Sequence, residues 1–225
     1  FQPIAFEECH SLSFFHIPEN NSRYIFKDDI LYLSAPYLTV VMSLDSKTER
    51  VLNENVTRIG IFAFYNNKQL KKIILPENLR EISELAFCNC TNLESIFIPS
   101  QVDYVESRAF LFRNKLTSIQ VSKNNENLAS FDDCIYAKNY VSLLLIPSGK
   151  NKIVFHEKFF LMNKWAYLMC EMMEIKIPEK IRVFSYKNSP FDEKPGIFEI
   201  CTGNFDNMKN PKYLYYEDKK QLNFI

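Results

Sequence analysis

Glycine is scarce in this 225-residue chain, and its four glycines (Gly60, Gly149, Gly196 and Gly203) are widely separated. Phosphate-binding loops need clustered glycines, because the backbone must approach the phosphate closely. The composition therefore excludes nucleotide binding through such a loop, and we expect no cofactor.

Net charge and long apolar runs are also lacking. The 27 basic residues balance the 27 acidic residues, so the formal net charge is +0. Neither nucleic acid nor an anionic membrane would be attracted electrostatically. No apolar run reaches the roughly 18 residues that a membrane-spanning helix needs. We expect no nucleic-acid partner and no membrane insertion within this sequence. The sequence begins at Phe1 without a charged and then apolar leader, so we expect any signal peptide to lie outside it.

The chain is rich in apolar residues (47%) that recur at a fixed interval. Residues 70–92, "LKKIILPENLREISELAFCNCTN", align with residues 93–115, "LESIFIPSQVDYVESRAFLFRNK". The two segments share their apolar positions, a proline (Pro76 and Pro99) and an Ala-Phe pair, and weaker copies extend over residues 1–184. Self-similarity at such a period predicts a solenoid, in which neighbouring units bury each other's apolar faces.

Each unit has two parts. Apolar residues alternate just before the proline, which predicts a short strand with one buried face that ends at the proline. The next apolar residues, Leu79, Ile82, Ala86 and Cys90, are spaced by three and four, which predicts a helical turn or two. The predicted fold class is an α/β repeat solenoid, a horseshoe or arc of ~23-residue units, each a short strand plus a helical turn.

Longer segments interrupt the array. "DDILYLSAPYLTVVMSL" and "DDCIYAKNYVSLLLIPSG" each contain two β-prone runs around a polar turn, which predicts hairpins near residues 28–44 and 132–146. Residues 185–225 follow the repeat poorly and form a degenerate repeat or a C-terminal cap, with a hairpin at 212–225. We therefore predict one solenoid over 1–225, and we expect it to be part of a longer array.

Two cysteines stand one residue apart, Cys88 and Cys90, a pair that raises the question of metal or disulfide chemistry. Cys9, Cys90 and Cys170 share one phase of the repeat, so we predict that they face the core as small apolar side chains. Cys88 is predicted to point away from that column. Zinc would need paired C-x-x-C or Cys/His clusters, and the sequence offers none.

The three histidines suggest no catalytic site. His10 follows Cys9, but a Cys–His nucleophile needs a third, orienting group and a pocket. His16 is predicted to lie on a strand, and His156 takes the proline position of its unit. We predict structural roles for all three, no catalytic residue and no metal.

The repeat L-x-x-I-x-I-P-x-x-[VL]-x-x-I-x-x-x-A-F-x-x-C-x-x resembles the BspA-like leucine-rich repeats, best over residues 70–115. One departure is that proline takes the place of the consensus Asn or Cys after the strand. The resemblance implies a leucine-rich-repeat solenoid without enzymatic activity; members occur in bacteria and parasitic protists, several as surface adhesins. The predicted function is a protein-binding scaffold, the ectodomain of a cell-surface or extracellular protein that adheres to host or matrix proteins. The alternatives are a cytoplasmic interaction scaffold and an accessory domain of an enzyme whose activity lies outside this sequence.

If the strands line the concave face, their outward positions form two columns. The first contains His16, Val51, Ile74, Phe97, Gln120, Val154 and Lys176, and the second contains Phe14, Lys72, Ser95, Ser118 and Glu174. We predict a partner-binding surface at Val51, Lys72, Ile74, Ser95, Phe97, Ser118 and Gln120. The alternative is ordinary strand composition, or cover by a neighbouring segment.

Three N-x-[ST] sequons mark Asn20, Asn55 and Asn89 as candidate glycosylation sites. They favour a secreted route. Cysteines in the core and the lack of a leader leave a cytosolic location open.

Overall fold

The computed structural model describes residues 3–6, 9, 12–44, 47–111, 115–159, 161–162, 166, 174–177 and 213–216. These residues form a short 3-10 helix, Pro3–Phe6, and a series of short strands. The strands are β1 Tyr24–Lys27, β2 Ile30–Leu33, β3 Thr39–Ser43, β4 Glu49–Val51, β5 Arg58–Ile59, β6 Lys72–Ile74, β7 Glu81–Ile82, β8 Ser95–Ile98, β9 Tyr104–Val105, β10 Ser118–Val121, β11 Leu128–Phe131, β12 Cys134–Ala137, β13 Ser142–Leu145, β14 Leu161–Met162, β15 Glu174–Ile177 and β16 Tyr213–Tyr216.

Successive coils place strands on two faces of the molecule. On the first face, β4 pairs in parallel with β6, and β8 with β10. On the second face, β3, β5, β7 and β9 form a parallel ladder that places Ile59, Ile82 and Val105 side by side. Partners in the β4–β6, β8–β10, β5–β7 and β7–β9 pairs are 23 residues apart, so the repeat length seen in the sequence is the length of one coil. In the β3–β5 pair, which joins the first hairpin to the coils, they are 19 apart.

The core between the two faces is built from columns of like residues. The rings of Phe64, Phe87 and Phe110 stack nearly parallel, with centroids 5.1 and 5.3 Å apart and interplanar angles of 4° and 3°. All three rings are buried. The column is formed by the phenylalanine of the Ala-Phe pair in three successive coils.

The prediction of a helical turn in each unit is wrong. Leu79, Ile82, Ala86 and Cys90 are buried, as the spacing suggests. Ile82, however, lies in strand β7, and residues 84–89 form consecutive turns. A right-handed helix cannot continue through Leu85, whose φ is 57°.

Backbone hydrogen bonds between coils take the place of helical ones. The Phe64 N–H donates to the Ala86 carbonyl and the Phe87 N–H to the Ala109 carbonyl, each at 2.8 Å. The Asn89 N–H donates to the Leu111 carbonyl at 2.9 Å. These N–H groups donate to carbonyls of the neighbouring coil, so the return segments, like the strands, are hydrogen-bonded from coil to coil.

Both interrupting segments contain hairpins. β2 pairs antiparallel with β3, within the predicted residues 28–44, and β12 with β13, within residues 132–146. Each hairpin is preceded by a further antiparallel strand that the sequence analysis omitted, β1 or β11. The linking turns, Asp28-Asp29 and Asp132-Asp133, have positive φ at both residues, as the two-residue type I′ turn requires.

Towards the C-terminus, β15 pairs in parallel with β16. The predicted hairpin at 212–225 is described only at Tyr213–Tyr216, which enters this parallel pair. The rest of 185–225 lies outside the described residues.

The cysteines lie only partly where the sequence predicts. Cys90 is buried, its thiol donates to the Phe64 carbonyl at 3.1 Å, and burial raises its pKa. Cys88, predicted to point away from that column, is buried as well. Cys9, predicted to face the core, is exposed; it follows the 3-10 helix Pro3–Phe6, and its N–H donates to the Phe6 carbonyl at 3.0 Å and not to a neighbouring coil. Cys170 lies outside the described residues.

Of the histidines, His16 is exposed and lies outside any strand, contrary to the prediction. The His156 ring stacks on the Tyr140 ring at 4.2 Å, a structural contact. His10 lies outside the described residues. In the part of the chain that the structure describes, no group of His, Cys, Asp and Glu could hold a metal ion.

Candidate partner-binding face

Three large apolar side chains stand exposed side by side on the first face. They are Val51 in β4, Ile74 in β6 and Phe97 in β8, with exposed fractions of 70%, 49% and 52%. Val51 is the direct partner of Ile74 across the β4–β6 pair. We call these three residues the apolar strip.

The strip follows from the alternation of side chains along a strand. In β6, Ile73 is buried while Ile74 points outward; in β8, Ile96 and Ile98 are buried while Phe97 points outward. Ile73, Ile96 and Ile98 belong to the core that the coils share. Apolar residues at the outward positions add nothing to the core, and they leave apolar area in contact with water.

A polar column runs beside the strip. Glu49 is the partner of Lys72, and Ser95 is the partner of Ser118. Lys72 and Ser95 are exposed. The sequence analysis left Glu49 out, although it stands 23 residues before Lys72 and the repeat places it in this column.

The C-terminal end of the predicted surface, at Ser118 and Gln120, contacts the second hairpin. Gln120, the partner of Phe97, donates from Nε2 to Asp133 Oδ1 at 2.6 Å, and the Ser118 hydroxyl donates to the same oxygen at 2.7 Å. Lys150 pairs with the other carboxylate oxygen at 3.7 Å. The hydrogen bond from Ser118 is the largest cause that holds the pKa of Asp133 below its ordinary value. Ser118 and Gln120 therefore anchor the second hairpin, whereas the rest of the predicted surface is open.

The N-terminal end of the strip, at Val51, adjoins a buried arginine. Arg50 occupies the column of Ile73 and is only 6% exposed. Its guanidinium donates to the Asp28 carbonyl, and burial lowers its pKa. This contact fixes the first hairpin to the first coil of the strip, so the two hairpins bound the strip at its two ends.

The remaining predicted column positions do not extend the strip as strand residues. Phe14, His16 and Val154 are exposed but lie outside the strands. Glu174 and Lys176 lie in β15.

The second face of the solenoid is charged. Arg58 pairs with Glu81 at 2.6 Å, and Arg80 pairs with Asp103 at 3.7 Å. The Tyr104 hydroxyl donates to the Glu106 carboxylate, and burial, with this acceptor, raises the pKa of Tyr104. The outward strand positions of the two faces thus differ: Arg58, Glu81 and Tyr104 lie on the second face, whereas the first has the apolar strip beside its polar column.

The three sequons are placed differently. Asn20 and Asn55 are exposed in turns. Asn89 is half-buried in a return segment, and its amide donates to Asn66 Oδ1 at 2.8 Å. Across the described residues, the structure contains no helix with the length and apolar character needed to cross a membrane.

Stacked coils at a 23-residue interval, with a parallel strand ladder and a buried aliphatic and aromatic core, define a leucine-rich-repeat solenoid. The profile of the BspA type Leucine rich repeat region matches residues 42–160 in six copies, and the chain belongs to this family. The match begins in the first hairpin and ends after the second, so it covers every coil of the strip.

Among solved structures, the chain is similar to the pneumococcal vaccine antigen PcpA, with 24% identity and a TM-score of 0.54 over 62% of this chain and 36% of that one. It is also similar to a leucine-rich repeat protein from Eubacterium ventriosum (15% identity, TM-score 0.38, 70% and 66% of the two chains). A leucine rich cell surface protein from Faecalibacterium prausnitzii gives 12% identity, a TM-score of 0.38 and 73% of each chain. The chain spans about a third of the length of PcpA, and this likeness concerns the fold alone. No curated protein matches the sequence.

Proposed function

We propose that this chain is a non-catalytic scaffold that binds a protein partner through the apolar strip. The observation that carries the proposal is the exposure of Val51, Ile74 and Phe97 in one column, although the coil needs no apolar side chain there. Covering the exposed half of a side chain such as Phe97 would contribute on the order of 1 kcal/mol to binding. Exposed apolar patches commonly mark such contacts.

The proposed location is a cell surface or the extracellular space, with adhesion to a host or matrix protein as the role. Membership of the BspA type family and the description of PcpA as a vaccine antigen support this location. A cytoplasmic interaction scaffold is the second candidate. It is favoured by Cys88, Cys90 and Cys134, which the structure describes as buried thiols, because extracellular repeats often contain disulfides.

The binding test compares Phe97→Asp and Ile74→Lys with Ile61→Lys. Ile61 is a matched control, because it is 52% exposed, like Phe97, but lies outside the strip. Each variant is applied to immobilised extracellular-matrix proteins after circular dichroism has shown that it is folded. We expect the two strip variants to lose binding at least tenfold and Ile61→Lys to retain it. Unchanged binding by both strip variants would contradict the proposal.

The location is tested by antibody staining of intact and permeabilised source cells. Staining of intact cells is expected. Staining only after permeabilisation would exclude the adhesin and leave the cytoplasmic scaffold.

A further inference from the structure

One hydrogen-bonded turn recurs along the chain, in four successive coils at 23-residue intervals and once before the first hairpin. In residues 18–21, 53–56, 76–79, 99–102 and 122–125, the N–H of the fourth residue donates to the carbonyl of the first, at 2.9 to 3.4 Å. The third residue of these turns is exposed in every case: Asn20, Asn55, Asn78, Gln101 and Asn124. We call this set of turns the turn rim.

Two of the three sequons lie on the turn rim in the same position. Asn20 and Asn55 are each the third residue of the recurrent turn, with side chains directed to solvent. Asn89 lies elsewhere, in a left-handed conformation (φ 61°) between the buried Cys88 and Cys90. Its amide nitrogen faces Asn66 of the neighbouring coil at 2.8 Å, so the stacked coil occupies the place where a sugar would be attached.

The third residue of the Asn55 sequon is Thr57, and its hydroxyl group has no role in the fold that the described contacts show. Thr57 Oγ1 is buried, and it has no hydrogen-bond partner in the described part of the chain. At the same position in the next two coils, Arg80 and Asp103 are exposed and form an ion pair. A buried hydroxyl without a partner lowers stability. The glycosylation motif, in contrast, requires a hydroxyl at this position.

We propose that Asn20 and Asn55 carry N-linked oligosaccharides on the turn rim and that Asn89 carries none. The donor is a lipid-linked oligosaccharide. The Asn amide nitrogen forms a bond to C1 of the first sugar, the bond from C1 to the pyrophosphate oxygen breaks, and the lipid pyrophosphate leaves with the electron pair. The amide proton passes to a base of the transferase. This inference rests on the surface location proposed above and not on binding by the apolar strip.

The glycan on Asn55 would border the apolar strip on one side only. Asn55 follows Val51 by four residues, at the edge where the strands end. The opposite edge, where the strands begin, is formed by Thr48, Lys71 and Glu94, all outside any sequon. On this proposal, the edge where the strands begin stays free of glycan.

The first experiment uses the protein isolated from its source cells. The folded protein is digested and treated with peptide N-glycosidase in heavy-oxygen water, which converts a glycosylated asparagine to labelled aspartate for mass spectrometry. We expect label at Asn20 and Asn55 and none at Asn89. Label at none of the three, or at Asn89, would overturn the proposal.

A second experiment isolates the Asn55 site. The chain is secreted from a eukaryotic cell line as wild type, Thr57→Val and Thr57→Ser. Valine matches the shape of threonine and removes only the unpartnered hydroxyl, so the fold is retained. We expect Thr57→Val to lose the glycan at Asn55 and keep the one at Asn20, while Thr57→Ser keeps both. Retention of both glycans in Thr57→Val would refute the assignment.

The two proposals fail separately. If the natural protein carries no glycan but Phe97→Asp still abolishes partner binding, the glycan inference alone is wrong. If both glycans are present and Phe97→Asp binds normally, the inference stands and the binding function of the strip is wrong.

Discussion

Replacing Phe87 by alanine removes the middle ring of the aromatic column. Phe87 is completely buried, and its ring lies 5.1 Å from that of Phe64 and 5.3 Å from that of Phe110. No other substitution in this column removes two of these stacked contacts at once. The variant therefore measures how much stacking between coils contributes to the solenoid.

The magnitude follows from burial and stacking. Truncation of a buried phenylalanine to alanine costs about 3–5 kcal/mol. Each stacked aromatic pair contributes about 0.5–1.5 kcal/mol beyond its buried area. We expect Phe87→Ala to cost about 5 kcal/mol and Phe64→Ala about 1 kcal/mol less, because Phe64 loses only the pair with Phe87. A loss of this size is a large part of the stability of an ordinary domain, about 5–15 kcal/mol.

The assay is urea denaturation followed by circular dichroism. Phe87→Leu serves as the control, because leucine retains most of the volume and loses the ring; it should cost about 1.5 kcal/mol or somewhat more. Equal costs for Phe87→Ala and Phe64→Ala would show that stacking contributes nothing. A cost below about 2 kcal/mol for Phe87→Ala would refute the reasoning from burial as well.

Four further predictions concern residues outside the aromatic column. Asn89→Ala should lose about 1–2 kcal/mol, from a hydrogen bond and a left-handed conformation that asparagine tolerates, whereas Asn55→Ala in protein without glycan should change stability by less than about 0.5 kcal/mol; urea denaturation that gave equal losses would contradict this. Thr57→Val should raise the stability of unglycosylated protein by about 1 kcal/mol, and a loss of similar size would reveal a partner for the hydroxyl. The pKa of Asp133 is lowered on folding, so its stabilising contribution is present above the unfolded pKa of about 3.9 and disappears as the pH falls through the folded value. Asp133→Asn should therefore weaken the loss of stability in acid, which thermal melts between about pH 6 and pH 2 would measure; an unchanged pH dependence would count against it. Cys90, buried and with a raised pKa, should resist alkylation until the chain unfolds, while the exposed Cys9 reacts at once; immediate modification of Cys90 would show that the coils open.

The register of the first face could be predicted from the sequence alone. Proline and the Ala-Phe pair fix the phase of each unit, and alternation within a strand then decides which residues point outward. Ile74 and Phe97 fall in one column for this reason. Exposure of the strip follows from the same pattern, because nothing in the described residues covers it.

The return segments could not be predicted in the same way. Apolar spacing reports which residues are buried, and stacked turns bury the same residues as a helix would. A helix and stacked turns differ in where the backbone hydrogen bonds go, which apolar spacing does not show. The turns also need residues at positive φ, and these include Phe62 and Leu85, which have no preference for that conformation. The stacking of neighbouring coils imposes it.

The contacts of Ser118 and Gln120 with the second hairpin could not be predicted from the repeat. Ser118 and Gln120 continue the columns in sequence, so periodicity places them with Lys72 and Phe97. Their engagement by Asp133 depends on where the hairpin turn packs, which is a contact between different kinds of unit. A repeat pattern carries no information on such contacts.

The constant offset of 23 residues makes the array adjustable in length. Removal of residues 70–92 would join Gln69 to Leu93, which has the phase of the deleted Leu70. Val51 would then stand next to Phe97 and Phe64 next to Phe110, so each column would close over the gap with one member fewer. Lineages could lengthen or shorten the contact surface by whole-unit duplication or loss, and the two hairpins would still mark its ends.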